Sequence, residues 1–294
     1  MIVVTSPTGH IGHQVVEKLL EQGASVRVIV RDPAKLPEAV RARVEVVEGS
    51  HADADVVNRA FAGAEAVFWL VPADPKAESV TAAYVDFSRP AAAALKAHGV
   101  KRVVLITALG RNTPVVDKAG YVTASLAMDD LIAATGVDLR ALTMPSFMDN
   151  ILMQAAAIKN QGTFFSPIAG DLKLPSCATR DIAAAAARWL TDSSWSGQEE
   201  VAVLGPENIS FNDMAAIMSD VLGKPVQFQQ TSFEAYKAQF LKFGFSDAMA
   251  QGMTDMADAK NQGLDLGVER TPENTTLTSF RTWCEEVLRP AILG

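Results

Sequence analysis

Ser6, Gly9 and Gly12 stand three apart in the stretch VVTSPTGHIGHQVVEKLL, which runs from Val3 to Leu20. Small residues at that spacing, set between an apolar strand and an amphipathic helix, suit the holding of a pyrophosphate. They let a backbone turn come close to the ligand, and the helix behind supplies N–H groups and the positive end of its dipole. Gly9 permits the approach, Gly12 lets the helix pack tightly on the sheet, and Ser6 stands where the first glycine of such a fingerprint falls. A second group of residues answers to the same ligand. Arg31 and Lys35 come about 20 residues past the glycines, where an acidic residue would bond a ribose 2′-hydroxyl and a cation accommodates a 2′-phosphate. Arg31 comes first, so the pattern favours NADP over NAD, while Asp32 beside it keeps NAD open. Thr107 tips a later strand, where its hydroxyl either faces the cofactor or caps the loop that follows.

These side chains need elements to hold them. Residues 2–4 read as a buried strand, and Ile11, Val15, Val16, Leu19 and Leu20 mark one face of the helix after the turn. Further strands are expected at 24–30, 44–47, 64–71, 101–106 and 137–142, with helices at 53–61, 79–98 (interrupted at Pro90) and 121–135. Asp53 or Asp55 is placed to cap the first of these helices. Strands alternating with helices imply a doubly wound parallel sheet with right-handed crossovers. The cofactor contacts are then Thr5, Ser6, Thr8, Gly9, His10, Ile11 and Gly12 in the turn, Arg31 and Lys35 after the second strand, Val71 at the end of the fourth, and Thr107. The rhythm changes near residue 150. Beyond it a helix is expected at 180–190 with Thr179 as its cap, a strand at 200–204, and a helix at 210–222 in which Ser210 and Asp213 form a capping box. A short strand follows at 226–229, and residues 233–263 read as mostly helical, with methionines at 249, 253 and 256 as core filler or a lid over an apolar ligand. A final helix is expected at 277–288. The chain thus divides into residues 1–150, which bind dinucleotide, and 151–294, a smaller substrate-binding region interleaved with the first.

The 294 residues carry a net charge of −8, which argues against nucleic acid or an acidic membrane as a partner. No apolar run approaches a membrane span. Cys177 and Cys284 lie far apart with no CxxC pattern, as suits a reduced, cytoplasmic protein. Met1 leads directly into a core strand, leaving no room for a signal peptide. His10 and His13 straddle the turn, and His51 and His98 have no ligand partners at recognisable spacing, so no metal site is expected.

Several stretches taken together resemble the NmrA-like group of atypical short-chain dehydrogenase/reductases. They are VTSPTGHIG, VRVIVRDPAKL, AVFWLVP, TMPSFMDN ending at Asn150, ATRDIAAAAARWL, and LGPENISFNDMAAIMSDVLGKPV. The resemblance covers nearly the whole chain. It implies a Rossmann-type fold with a small α+β substrate region, and Pro145, Ser146, Phe147 and Asn150 beside the nicotinamide. It also implies an NADP(H)-dependent oxidoreductase that passes hydride to a quinone-like or other conjugated small molecule. Two alternatives stay open: a non-catalytic NADP(H)-binding sensor that regulates a protein partner, and a reductase or isomerase of one biosynthetic metabolite. A homodimer is compatible with all three. The resemblance makes Tyr121 the candidate catalytic residue, with a substrate contact and a buried helix-start tyrosine as alternatives. The chain departs from the related dehydrogenases at this Tyr-x-x-x-Lys element, where Ser125 takes the lysine position, with Lys118 three residues before the tyrosine. It also departs at Ser6, and at Thr143-Met144 in place of an Arg-Pro pair. Quinone and azo acceptors tolerate the missing relay, because their reduced atoms take protons from water.

Overall fold

The β-branched and aromatic runs of the amino-terminal half become strands of one sheet. Ile2–Val4 (β1), Val26–Val30 (β2), Glu45–Glu48 (β3), Ala66–Trp69 (β4), Arg102–Ala108 (β5) and Asp138–Met144 (β6) are joined by Gln198–Ala202 at the edge. The order across this seven-stranded sheet is Gln198–Ala202, β6, β5, β4, β1, β2, β3. β1 pairs in parallel with both β2 and β4, placing Val3 beside Arg27 on one side and Val67 on the other. The order of connection reverses between β1 and β4. In open sheets of this kind ligands bind at such a switch point, outside the carboxyl ends of the strands. The computed structural model describes all residues, 1–294.

The chain gathers into two interleaved units. The first comprises residues 1–107, 124–143 and 182–201, and the second 108–123, 144–181 and 202–294. The chain passes between the units after residues 107, 123, 143, 181 and 201. The strand expected at 200–204 is Gln198–Ala202, and it extends the main sheet next to β6. Its segment consequently groups with the first unit rather than with the carboxyl-terminal residues.

The first unit is held by an apolar core that includes Val3, Ile29, Val57, Phe61, Trp69, Leu105, Met128 and Ile132. Each such side chain contributes roughly 1.5–3 kcal/mol by leaving water. The helix Gly12–Glu21 (α1) lays Val15, Val16, Leu19 and Leu20 into the protein, as the apolar spacing requires. Asp53 stands at the N-cap of Ala54–Phe61, but its side chain makes no capping bond. The helix expected to break at Pro90 does not break. Ala82–Asp86 forms a wide π turn and Phe87–His98 continues as regular helix with Pro90 inside. Proline has no N–H for the carbonyl four residues back, that of Asp86, and its ring crowds that carbonyl. The irregularity is absorbed in the turn just upstream.

In the second unit, Leu174–Cys177 pairs with Ser146–Phe147 and with Asn208–Ile209, while Thr163–Ser166 pairs in parallel with Gln227–Gln230. Ser210 and Asp213 form the expected capping box of Phe211–Leu222, the Asp213 N–H donating to Ser210 Oγ at 3.1 Å and the Ser210 N–H to Asp213 Oδ2 at 3.2 Å. The stretch 233–263 is two helices, Phe233–Lys242 and Asp247–Asn261, started by the Ser232 and Ser246 caps. Met249 is fully buried while Met253 and Met256 are half-buried. The last helical stretch begins at Phe280, capped by Ser279, and runs on to Leu293, whereas Leu277 lies outside it and is exposed. No helix is long and apolar enough to cross a membrane.

Candidate functional site

Thr5 and Ser6 open the turn after β1. Thr5 is fully buried. Its backbone N–H donates to Phe68 O, its hydroxyl lies 3.1 Å from Phe68 O and 3.3 Å from Leu70 O, and the Leu70 N–H donates to it at 2.9 Å. Thr5 thus ties β1 to the end of β4. Its hydroxyl is spent inside the protein. Ser6 has φ +51°. The turn needs a left-handed residue here, which is why glycine suits the position. A residue with a Cβ costs about 1–2 kcal/mol in that conformation. Ser6 offsets part of this cost by donating its hydroxyl to Leu70 O at 3.2 Å.

The two glycines differ. A Cβ at Gly12 would lie 2.0 Å from Ser6 O, so helix and turn pack with no room for a side chain. A Cβ at Gly9 would meet the same oxygen at 3.4 Å, an ordinary contact. The packing of the protein does not demand glycine at position 9. Thr8 and His10 are exposed there, and Ile11 is buried as the first residue of the apolar stripe. His13 Nδ1 lies 2.8 Å from Gly9 O and Gln14 donates to His10 O at 2.6 Å, bracing the turn. α1 has no side-chain cap and no acidic residue in its first turn. Its positive end is therefore not neutralised by the protein, and the turn fits a pyrophosphate.

Beyond β2, Asp32 caps the short turn Pro33–Lys35 by accepting the Ala34 N–H at 3.0 Å. That bond uses one oxygen of the Asp32 carboxylate, and Arg31 and Lys35 are exposed cations on either side of it in sequence. Val71, just past β4, is buried. Thr107 is also buried, and its hydroxyl lies 2.9 Å from that of Ser125, itself buried. The residue in the lysine position therefore anchors the strand-end hydroxyl.

His51 belongs to this region, although its spacing to other histidines gave no reason to single it out. It follows β3, and its Nε2 lies 3.1 Å from Leu70 O, which as a carbonyl can only accept, so Nε2 carries the hydrogen. The ring packs edge-on to Trp69 and Phe87, with centroids 5.2 and 4.8 Å away. Burial pushes its pKa down to about 4; the bond to Leu70 opposes this and Arg31 adds to it. A partner that is a backbone carbonyl leaves no mark in residue spacing.

In the second unit, Tyr121 begins the helix Tyr121–Ala133 directly after Gly120, whose φ is +54°. A Cβ on Gly120 would lie 2.1 Å from Gly252 O, so the backbone before Tyr121 sits directly on the helix Asp247–Asn261. Tyr121 is half-buried, and its pKa is raised to about 12 by burial and then by nearby Tyr236. A proton-relay tyrosine needs the opposite shift. Lys118 is exposed at the end of the short turn Val116–Lys118 and does not lower it. Pro145 is buried, Ser146 and Phe147 form a short strand opposite Ser176 and Cys177, and Asn150 is exposed in the turn Met148–Gln154. Asp149 accepts both the N–H and the hydroxyl of Thr179, at 3.0 and 2.9 Å, at the start of Thr179–Thr191.

The NAD(P)H-binding family matches residues 7–193, more than half of the chain. The chain belongs to this NAD(P)H-binding family. It is 31% identical over 291 residues to a (4-alkanoyl-5-oxo-2,5-dihydrofuran-3-yl)methyl phosphate reductase of Streptomyces griseus, covering 97% of each chain. It is 28% identical over 285 residues to an NAD(P)H azoreductase of Xenophilus azovorans, covering 97% of this chain and 96% of that one. Among solved structures, it resembles an NADPH-dependent quinone oxidoreductase from Escherichia coli in complex with NADPH. The TM-score is 0.73 and the identity 26%, over 89% of this chain and 90% of that one.

Proposed function

We propose that the protein is an NADP(H)-dependent reductase that passes hydride to a quinone-like or other conjugated small molecule. The observation that carries this reading is the uncapped α1 behind a left-handed turn whose Gly9 the packing of the protein does not require. The bound nicotinamide supplies the hydride. The turn from Ser6 to Gly12 holds the pyrophosphate, and Arg31 with Lys35 selects the 2′-phosphate. Thr107, fixed by Ser125, and Val71 complete the contacts within the first unit. The family resemblance assigns Pro145, Ser146 and Asn150 to the nicotinamide end. Tyr121, with its pKa near 12, is neutral and poorly acidic, so it serves as a hydrogen-bonding contact rather than a proton source. An acceptor whose reduced oxygens or nitrogens take protons from water suits that site, which agrees with relatives named for azo and quinone substrates. Two free, buried cysteines suit a cytoplasmic setting.

The test is multiple-turnover oxidation of NADPH by the purified protein across a panel of small quinones and azo compounds, followed at the nicotinamide absorbance band. Quinone-dependent turnover is expected. Tight NADPH binding with no turnover on any acceptor would replace this reading by the sensor.

A further inference from the structure

The carbonyl of Leu70 gathers side chains from two other segments. Thr5 Oγ1 at 3.3 Å, Ser6 Oγ at 3.2 Å and His51 Nε2 at 3.1 Å all lie within hydrogen-bond distance of it. Thr5 and Ser6 follow β1, His51 follows β3, and Leu70 follows β4, so the three segments meet where the order of the sheet reverses. The Thr5 hydroxyl is shared with Phe68 O, which leaves Ser6 and His51 as donors with no second acceptor in this set. A histidine is a costly choice between Trp69 and Phe87, because an aliphatic side chain would fill the space without burying ring nitrogens. What a histidine adds there is a fixed donor to one carbonyl.

That bond has a consequence one atom further along the chain. In a trans peptide the C=O and the following N–H point to opposite sides, and the chain has no cis peptide bond. Holding Leu70 O against Ser6 and His51 turns the Val71 N–H away from them. We propose that His51 is a positioning residue, which locks the Leu70–Val71 peptide so that the Val71 N–H is presented to an oxygen of bound NADP(H). The inference rests on the first unit being the dinucleotide holder. Because Ser6 shares the same carbonyl, the phosphate turn and the Val71 N–H are set by a single peptide. Arg31 is the charged group that acts on the His51 ring, and the other neighbours named here are the rings of Trp69 and Phe87.

The experiment compares NADPH binding by wild type, His51→Phe and His51→Gln at neutral pH, together with amide and imidazole NMR of the wild type. His51→Phe fills the aromatic space without a donor, whereas Gln restores an N–H. The Kd for NADPH is expected to rise about tenfold in His51→Phe, the loss of roughly one hydrogen bond, and to recover most of that in His51→Gln. In wild type the ring should be the Nε2–H tautomer and the Val71 amide resonance should move downfield on adding NADPH. These two readouts hold even where a variant folds poorly. A Val71 amide that ignores NADPH, or equal affinities in all three proteins, overturns the proposal while leaving the Ser6–Gly12 turn as the holder of the cofactor. A wild type that binds no NADPH overturns both.

Discussion

Acidification should weaken the fold through His51 in a way that one substitution isolates. The ring is 7% exposed, and its pKa falls from 6.5 in the unfolded chain to about 4 in the folded one. Between those values the unfolded chain binds more protons than the folded protein, so stability falls as pH falls. The contribution is fully present above pH 6.5 and is lost on descending through the folded pKa. Two and a half units at about 1.4 kcal/mol each give a full loss of ~3.5 kcal/mol, of which ~3 kcal/mol has gone by pH 4. Other groups titrate in the same range, so the quantity to measure is the difference between wild type and His51→Gln. Urea unfolding from pH 7.5 to 4 should give a difference that is level above pH 6.5. It should then shift by ~3 kcal/mol against wild type by pH 4. A flat difference across the whole range would show that the ring titrates as in water and that the buried neutral donor is misassigned.

Gly12→Ala sets a Cβ 2.0 Å from Ser6 O, and should destabilise the protein by about 1–3 kcal/mol in thermal unfolding while abolishing NADPH binding. Arg31→Ala should raise the Kd for NADPH roughly ten- to a hundredfold and leave that for NADH unchanged, as expected for one charge-assisted contact to a 2′-phosphate. Tyr121→Phe should change kcat with a small quinone by less than about threefold, where loss of a general acid would cost roughly a hundredfold or more. Lys260 and Asp265 form an ion pair with both side chains buried. Asp265→Ala, which strands the lysine, should cost about 3–5 kcal/mol in urea unfolding.

The parts of the fold legible in the sequence are those written in local patterns. The apolar runs that became β1 to β6 lie within two residues of their expected ends, and the capping box of Ser210 and Asp213 forms both of its bonds. The turn between β1 and α1 was legible for the same reason, because its spacing, its strand and its helix are contiguous. What escaped depends on distant or backbone partners. Nothing near Gln198–Ala202 says that it adds to β6. Thr107 and Ser125 are eighteen residues apart in sequence and meet only across the fold. Thr5 reads as part of the turn, but its hydroxyl is committed to Phe68 and Leu70. His51 reads as a stray histidine because a carbonyl acceptor carries no side-chain signature. The displaced irregularity near Pro90 shows the same limit: the proline is visible, while the residues that accommodate it lie one turn away.

The central claim is that the turn between β1 and α1 holds NADP(H) despite the serine at position 6. Equilibrium titration of the purified protein with NADPH and NADH tests it most directly. Saturable binding of both is expected, with NADPH the tighter. Failure to bind either would mean that Ser6 disables the turn and that the protein is not an NADP(H) reductase.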